Sequence, residues 1–356
     1  MKEKFPTRGT QYLSDVFVIG AGASVPYGFP TGFDLIEDLR TKDASKTLRE
    51  SLIPKILEPG TIDRHFENPK DWDLSPFGKF HEAWKRQIHG SVILTIDQFL
   101  KNRPDQNFSV YGKALMAERI LSYENDCLNS PAKDKEGKSK KSMKSVDWIQ
   151  YFLTQIDLQP NWDVYLMGAT FISFNYDRVF EYFLRQFLMI ERSMPISEAD
   201  KFIASMKIYH LNGYLGPLQN LPFGNASGSG SLEPWRSLYG GDGRVSTAPD
   251  YLKISKNMRT VWETEAHSDR EKAQVAIAAA ERIFVLGTSY IPENLEAIGL
   301  GAVASSNRAN LRGTALGLSD AQVSRSAKML GIRTKDIGQF LPKVTCKDLV
   351  VDEVVL

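Results

Sequence analysis

Cysteine is scarce in this chain. Only Cys127 and Cys346 occur in 356 residues, far apart and outside any Cys-x-x-Cys spacing. That excludes a disulfide framework and a sequence-evident structural zinc site, and it fits a reducing compartment. Net charge is nearly absent as well: 44 Lys and Arg stand against 43 Asp and Glu, a formal +1, so no global field holds the protein on nucleic acid or an anionic membrane. Long apolar runs are missing too. The opening MKEKFPTRGTQYLSD has no signal-like apolar stretch and no segment reaches bilayer-spanning length, so a cytoplasmic protein without membrane contact is expected. The five histidines form no metal pattern; His65, His81, His89 and His267 lack Cys or acidic companions at ligand spacing, and no metal is implied.

What is present is 42% hydrophobic and 11% aromatic residue content, enough for a nucleotide-binding core and a second lobe or large insertions. Four short apolar runs each end in polar or glycine-rich residues. Val16-Phe17-Val18-Ile19 leads into Gly20-Ala21-Gly22-Ala23-Ser24, and Ala169 to Phe174 ends in Asn175-Tyr176-Asp177. Lys207-Ile208-Tyr209 runs into His210-Leu211-Asn212-Gly213, and Arg282 to Leu286 ends in Gly287-Thr288-Ser289. An open parallel sheet places its ligand at the C-terminal ends of its strands, where all four polar clusters fall. The predicted fold class is therefore α/β, a Rossmann-like parallel sheet flanked by helices, with a mainly helical insertion forming a second lobe.

The core is predicted over 14–40 and 166–300, discontinuous and carrying a loop insertion at about 220–260. The helical insertion covers 41–165, with amphipathic stretches at Tyr111 to Tyr123 and Trp148 to Ile156. A C-terminal extension, 301–356, is offered as a surface for oligomerisation or partner contact. The lysine-rich, aromatic-free Asn129 to Ser145 reads as a solvated loop, and Gly224 to Leu232 with Gly240 to Gly243 as a flap near the third motif. Val261 to Ala280 reads as helix. Trp72, Trp84, Trp148 and Trp162 read as core, and Asp97 as a cap or packing residue.

A glycine turn between strand and helix lets backbone amides approach phosphate oxygens, and Gly20 and Gly22 suit that role. The breaker cluster Tyr27 to Gly32 then delays the helix-like Phe33 to Arg40 and makes a loop able to cover a cofactor. Each motif taken singly also has a plain structural reading. Asn175 and Asp177 are ordinary turn and capping residues, His210 a hydrogen-bonded core or rim histidine, and Gly287-Thr288-Ser289 a helix cap.

In order and in placement at strand ends, GAGAS-x-x-x-G-x-P, FNYD, HLNG and GTS resemble the Sir2 superfamily, and more narrowly its bacterial Sir2-like members of antiphage defence. The resemblance implies NAD+ as substrate. It places Asn175 and His210 at the nicotinamide ribose as catalytic residues. It further implies cofactor contacts from Gly20, Ala21, Gly22, Ser24, Pro30, Thr31, Asp177, Gly287, Thr288 and Ser289. The chemistry agrees: cleaving the N-glycosidic bond passes through an oxocarbenium-like C1′, which needs a dry pocket, a positioned nucleophile and a proton acceptor. An asparagine orients a water or hydroxyl without adding charge, and a histidine is a natural base near neutral pH.

The expected function is thus an NAD+ hydrolase releasing nicotinamide and ADP-ribose, an antiphage effector. An NAD+-dependent protein deacylase is the first alternative. It is weakened because no cysteine of a zinc module occurs between His210 and Gly287, and because Pro30 is followed by Thr31-Gly32-Phe33 where the deacylases have Asp-Phe-Arg. A subunit that senses NAD+ or a derivative without turnover is the second. The resemblance also implies a homo-oligomer and a separate regulatory partner such as a HerA-like ATPase, with no direct nucleic-acid binding.

Overall fold

The structure, a computed structural model, describes residues 14–58, 73, 75–103, 105–129, 148–224, 250–260, 263, 268–301 and 311–354. Five parallel strands, β1 (Asp15–Ile19), β2 (Thr170–Ser173), β3 (Lys207–His210), β4 (Arg282–Leu286) and β5 (Leu311–Gly313), lie in the order β3-β2-β1-β4-β5. Between β1 and β2 come α1 (Gly32–Thr41), α2 (Lys46–Leu57), α3 (Pro76–His89), α4 (Ile96–Lys101), α5 (Gln106–Asn129), α6 (Trp148–Asp157) and α7 (Trp162–Gly168). Then α8 (Val179–Ile190) and α9 (Ile196–Ser205) precede β3, α10 (Tyr251–Asn257) and α11 (Ser268–Ala279) precede β4, and α12 (Pro292–Ala297) follows it. After β5 come α13 (Asp320–Met329), α14 (Ile337–Phe340) and α15 (Cys346–Glu353).

Strand side chains alternate between faces, and β1 and β2 are buried at every position, so both faces are covered. Phe17, Phe171 and Phe284 stack as a row across β2, β1 and β4 with centroids 5.1 Å apart, and Phe152 of α6 packs edge-on against Phe17. Val16, Val18, Ile172, Ile283 and Val285 point the other way, into a cluster with Ile277 of α11 and Val323 of α13. The doubly covered parallel sheet is the predicted Rossmann-like α/β architecture.

The structure refines the sequence-drawn boundaries. The described helices of 41–165 pack onto the sheet: Leu48, Trp84, Phe99 and Tyr111 share one buried cluster with Phe17 and Phe171. The physical reason lies in α5, which buries Tyr111, Ala114, Leu115, Met116, Ala117, Ile120 and Leu121 and so needs partners on several sides, which α1, α2 and α10 supply. Residues 301–356 are not an appendage. β5 completes the sheet, and α15 packs on α6. The helix read over Val261 to Ala280 begins at Ser268 among the described residues. The lysine-rich stretch beyond Asn129, the glycine-rich flap beyond Gly224, His65, His267 and Trp72 lie outside the described residues. No helix among the described residues is long and apolar enough to cross a membrane.

Candidate active site

Strand register puts the four motifs side by side. Ile19 pairs with Ser173 and Leu286, and Ser173 with His210, so the residues that follow leave the sheet at one common edge. The chain order reverses on either side of β1, which makes the C-terminal end of β1 and β4 the topological switch point. There the first and fourth motifs pack backbone to backbone. Gly287 has φ of +61°, and a Cβ on it would lie 2.0 Å from the Ala23 nitrogen; one on Gly22 would lie 2.7 Å from the Gly287 oxygen. These glycines are required by close approach of the two turns.

The amides of the first turn are largely committed. Gly20 N–H donates to Leu286 (2.9 Å), Gly22 to Gly287 (2.8 Å), Ala23 to Gly20 (2.9 Å) and Ser24 to Ala21 (3.0 Å). Ala21 is the one of the five whose amide has no carbonyl partner among the described residues. Trp148 braces the same turn, donating its indole N–H to the Ala23 carbonyl at 2.9 Å.

The second motif reaches across to the first. Asn175 is buried, and its Nδ2 donates to the Gly20 carbonyl and to Ser24 Oγ, each at 3.1 Å, while its Oδ1 has no hydrogen-bond partner among the described residues. The Asp177 carboxylate accepts from the Val179 amide at 3.1 Å. Burial pushes Asp177 up to about 6, against the opposing pull of the Val179 amide and the Ser24 hydroxyl. Asn175, Ser24, Asp177, Glu181 and His210 line a cavity of about 10 Å³ walled by Trp148, Phe171 and Phe180. That volume holds one water-sized group, and the Asn175 oxygen lacks a donor.

His210, the last residue of β3, meets two acceptors. Its Nε2 lies 2.5 Å from Glu181 Oε1, and its Nδ1 lies 3.4 Å from the Asn175 carbonyl oxygen. Tyr214 stacks on the ring with centroids 4.1 Å apart. Burial alone would lower the imidazole pKa, but the Glu181 carboxylate, its hydrogen bond and the Asn175 carbonyl outweigh burial and hold it above the ordinary value. A ring with N–H on both nitrogens satisfies both neighbours, so this conformation favours imidazolium.

The other predicted contacts are placed less centrally. Thr31 caps α1, its hydroxyl 2.7 Å from Asp34 Oδ2 and accepting from the Asp34 amide, and Pro30 is half-buried just before it. Gly287 and Thr288 sit against the first turn, whereas Ser289 is exposed. His81 is not near the site; it bridges Tyr111 and Asp43 at 2.7 and 3.0 Å. His89 is exposed at the end of α3, and Trp84 and Trp162 pack among aromatic side chains.

Three residues that support the site were not singled out from the sequence. Glu181 is the lone acid in the apolar opening of α8, which is the signal that could have found it. Arg178 and Glu124 are both fully buried and form a two-pronged pair (Nε to Oε1 3.0 Å, Nη2 to Oε2 2.5 Å). Arg178 also donates to the carbonyls of Gly216, Leu221 and Pro222, which pins the segment after the histidine motif. Asp97, read as structural, holds the hydroxyl of Tyr176 at 2.6 Å and so ties α4 to the second motif. Among the described residues no group of three or more His, Cys, Asp or Glu side chains is placed to hold a metal ion.

Comparison of the chain with protein-family models, curated proteins and solved structures finds no match.

Proposed function

We propose that the protein is an NAD+ glycohydrolase that cleaves the nicotinamide ribosyl bond to give nicotinamide and ADP-ribose. One observation carries the reading. Asn175 and His210, 35 residues apart in sequence, meet at one buried cavity at the C-terminal edge of a parallel sheet, and the Asn175 Oδ1 there has no donor among the described residues. A ribose hydroxyl or the attacking water supplies such a donor. His210 takes a proton once its ring is neutral, and the low-polarity walls strengthen the interaction between developing positive charge at C1′ and the carboxyls of Asp177 and Glu181. At the phosphate end the Ala21 amide is the group left to donate. A cavity of about 10 Å³ does not admit a ribose, so turnover requires the walls around Trp148 and Phe180 to part.

The same closure favours a second reading, a subunit that binds NAD+ or a derivative without turning it over. The resemblance to antiphage Sir2-like proteins supplies the context for either: a cytoplasmic protein, a homo-oligomer restrained until infection, and a separate partner such as a HerA-like ATPase. The experiment is nicotinamide release from NAD+ by wild type, Asn175→Ala and His210→Ala, with and without an acylated peptide. Release without peptide that falls by about 100-fold or more in both variants supports the hydrolase. Release only with peptide makes it a deacylase. NAD+ binding by calorimetry with no release in any condition makes it a sensor.

A further inference from the structure

Glu181 belongs to none of the four strand-end motifs. It lies in the first turn of α8, in the run Val179-Phe180-Glu181-Tyr182, and is 8% exposed. Burying a carboxylate among apolar neighbours is costly unless something compensates it, and His210 Nε2 at 2.5 Å does so. The pair stands between two spaces. On one side it closes the inner cavity with Asn175 and Asp177. On the other it lines a larger, solvent-open pocket of about 290 Å³, bounded by Asp200, Met206, Tyr214 and Leu218. Glu181, Ile208 and His210 are common to both.

We infer that Glu181 is a positioning residue for His210: it fixes the tautomer with the proton on Nε2, leaves Nδ1 as the base on the Asn175 side, and passes the proton out to the larger pocket. The inference rests on the glycohydrolase reading. The water oxygen forms its bond to C1′ as the bond from C1′ to the nicotinamide nitrogen breaks, and neutral nicotinamide leaves with the electron pair. The water proton goes to Nδ1, the Nε2 proton to Glu181 Oε1, and from there to solvent in the larger pocket. The sum is NAD+ plus water giving nicotinamide, ADP-ribose and one proton, with no redox partner needed. The Nδ1 contact at 3.4 Å is long and readily given up, whereas the Nε2 contact is short, which sets the direction of the relay. The charged and titratable groups facing His210 are Glu181, Arg178 and Asp177 from α8 and its lead-in, Asp200 from α9, and Tyr214 from the following loop.

The test uses the full chain with Glu181→Gln and Glu181→Ala. With 13C-labelled histidine, the His210 ring titration, assigned by its absence in His210→Ala, is expected to move down by about one pH unit or more in Glu181→Gln. The pH at half-maximal nicotinamide release should move down with it. In Glu181→Ala, release at neutral pH should drop by about 100-fold, and formate, small enough for the larger pocket, should restore about 10-fold of it, with no effect of formate on His210→Ala. An unmoved His210 titration in folded Glu181→Gln overturns the inference, as does a folded Glu181→Ala that formate does not revive. If wild type releases no nicotinamide the hydrolase reading falls, and the His210 titration then decides the positioning claim alone.

Discussion

Replacing Arg178 by methionine separates the two kinds of work this side chain does. Its guanidinium is fully buried, pairs with both oxygens of the equally buried Glu124, and donates to the carbonyls of Gly216, Leu221 and Pro222. Losing the donors leaves three carbonyls short at about 1 kcal/mol each, independent of pH. Losing the charge leaves Glu124 uncompensated in the interior, worth about 3–5 kcal/mol while it stays ionised. Glu124 has an escape that Arg178 does not: it can take a proton, whereas a guanidinium stays charged. Burial already holds Glu124 above its usual range despite the downward pull of Arg178, and without Arg178 it rises further. A carboxyl whose folded value lies above its unfolded one loses stability as pH rises from about 4.3 to the folded value, by about 1.4 kcal/mol per pH unit. The methionine variant therefore has a longer window of loss than wild type. Its deficit should be smallest at the acid end and widen as pH rises towards neutrality. Glu124→Gln, with no group to titrate and a permanently charged Arg178 left behind, should be unstable at both. Urea unfolding followed by tryptophan fluorescence at pH 5, 6 and 7 reads this directly. A deficit of Arg178→Met that is the same at all three values refutes the reasoning.

At the opposite end of the sheet Asp15 is fully buried and takes Arg282 Nε at 2.7 Å, so Arg282→Ala should cost about 3–5 kcal/mol in urea unfolding while Arg282→Lys costs less. Gly287→Ala places a methyl within 2.0 Å of the Ala23 nitrogen at a φ of +61°, and it should unfold the protein at lower temperature in calorimetry and, on the proposed glycohydrolase reading, weaken NAD+ binding more than Ser289→Ala, which touches an exposed position. Asp177 is held at about 6, above its unfolded value, so its ionisation weakens the fold as pH rises from about 4 to 6. Wild type should lose up to about 3 kcal/mol relative to Asp177→Asn across that window and hold steady above it, and an unchanging difference between the two would contradict burial as the cause.

The sheet and the edge where the motifs gather were legible because buried parallel strands announce themselves: β-branched and aromatic runs ending in glycine or asparagine have few other uses. β5 had no such signal, since Leu311-Arg312-Gly313 is three residues long with a charge at its centre, and only pairing with β4 makes it a strand. That Asn175 and His210 lie close together followed from their places at the ends of neighbouring strands. The partners of those residues did not. Arg178, Glu181 and Glu124 lie in stretches whose helical pattern is satisfied without them, and a charged residue in such a pattern is ordinarily assigned to the solvent side. What reverses that assignment is tertiary: Glu181 is inside because it meets His210, which ends β3 directly opposite Ser173, and Arg178 is inside because Glu124 on α5 and three carbonyls of the 216–222 segment converge on it. The sequence pattern thus marks the residues gathered at the strand ends, while the groups that hold them in register become visible only when the helices are packed onto the sheet. Both buried pairs brace the loop and strand end that carry the histidine, so mutations that disable the site through Arg178 or Glu124 should do so by loosening His210, with loss of its Glu181-dependent titration as the sign.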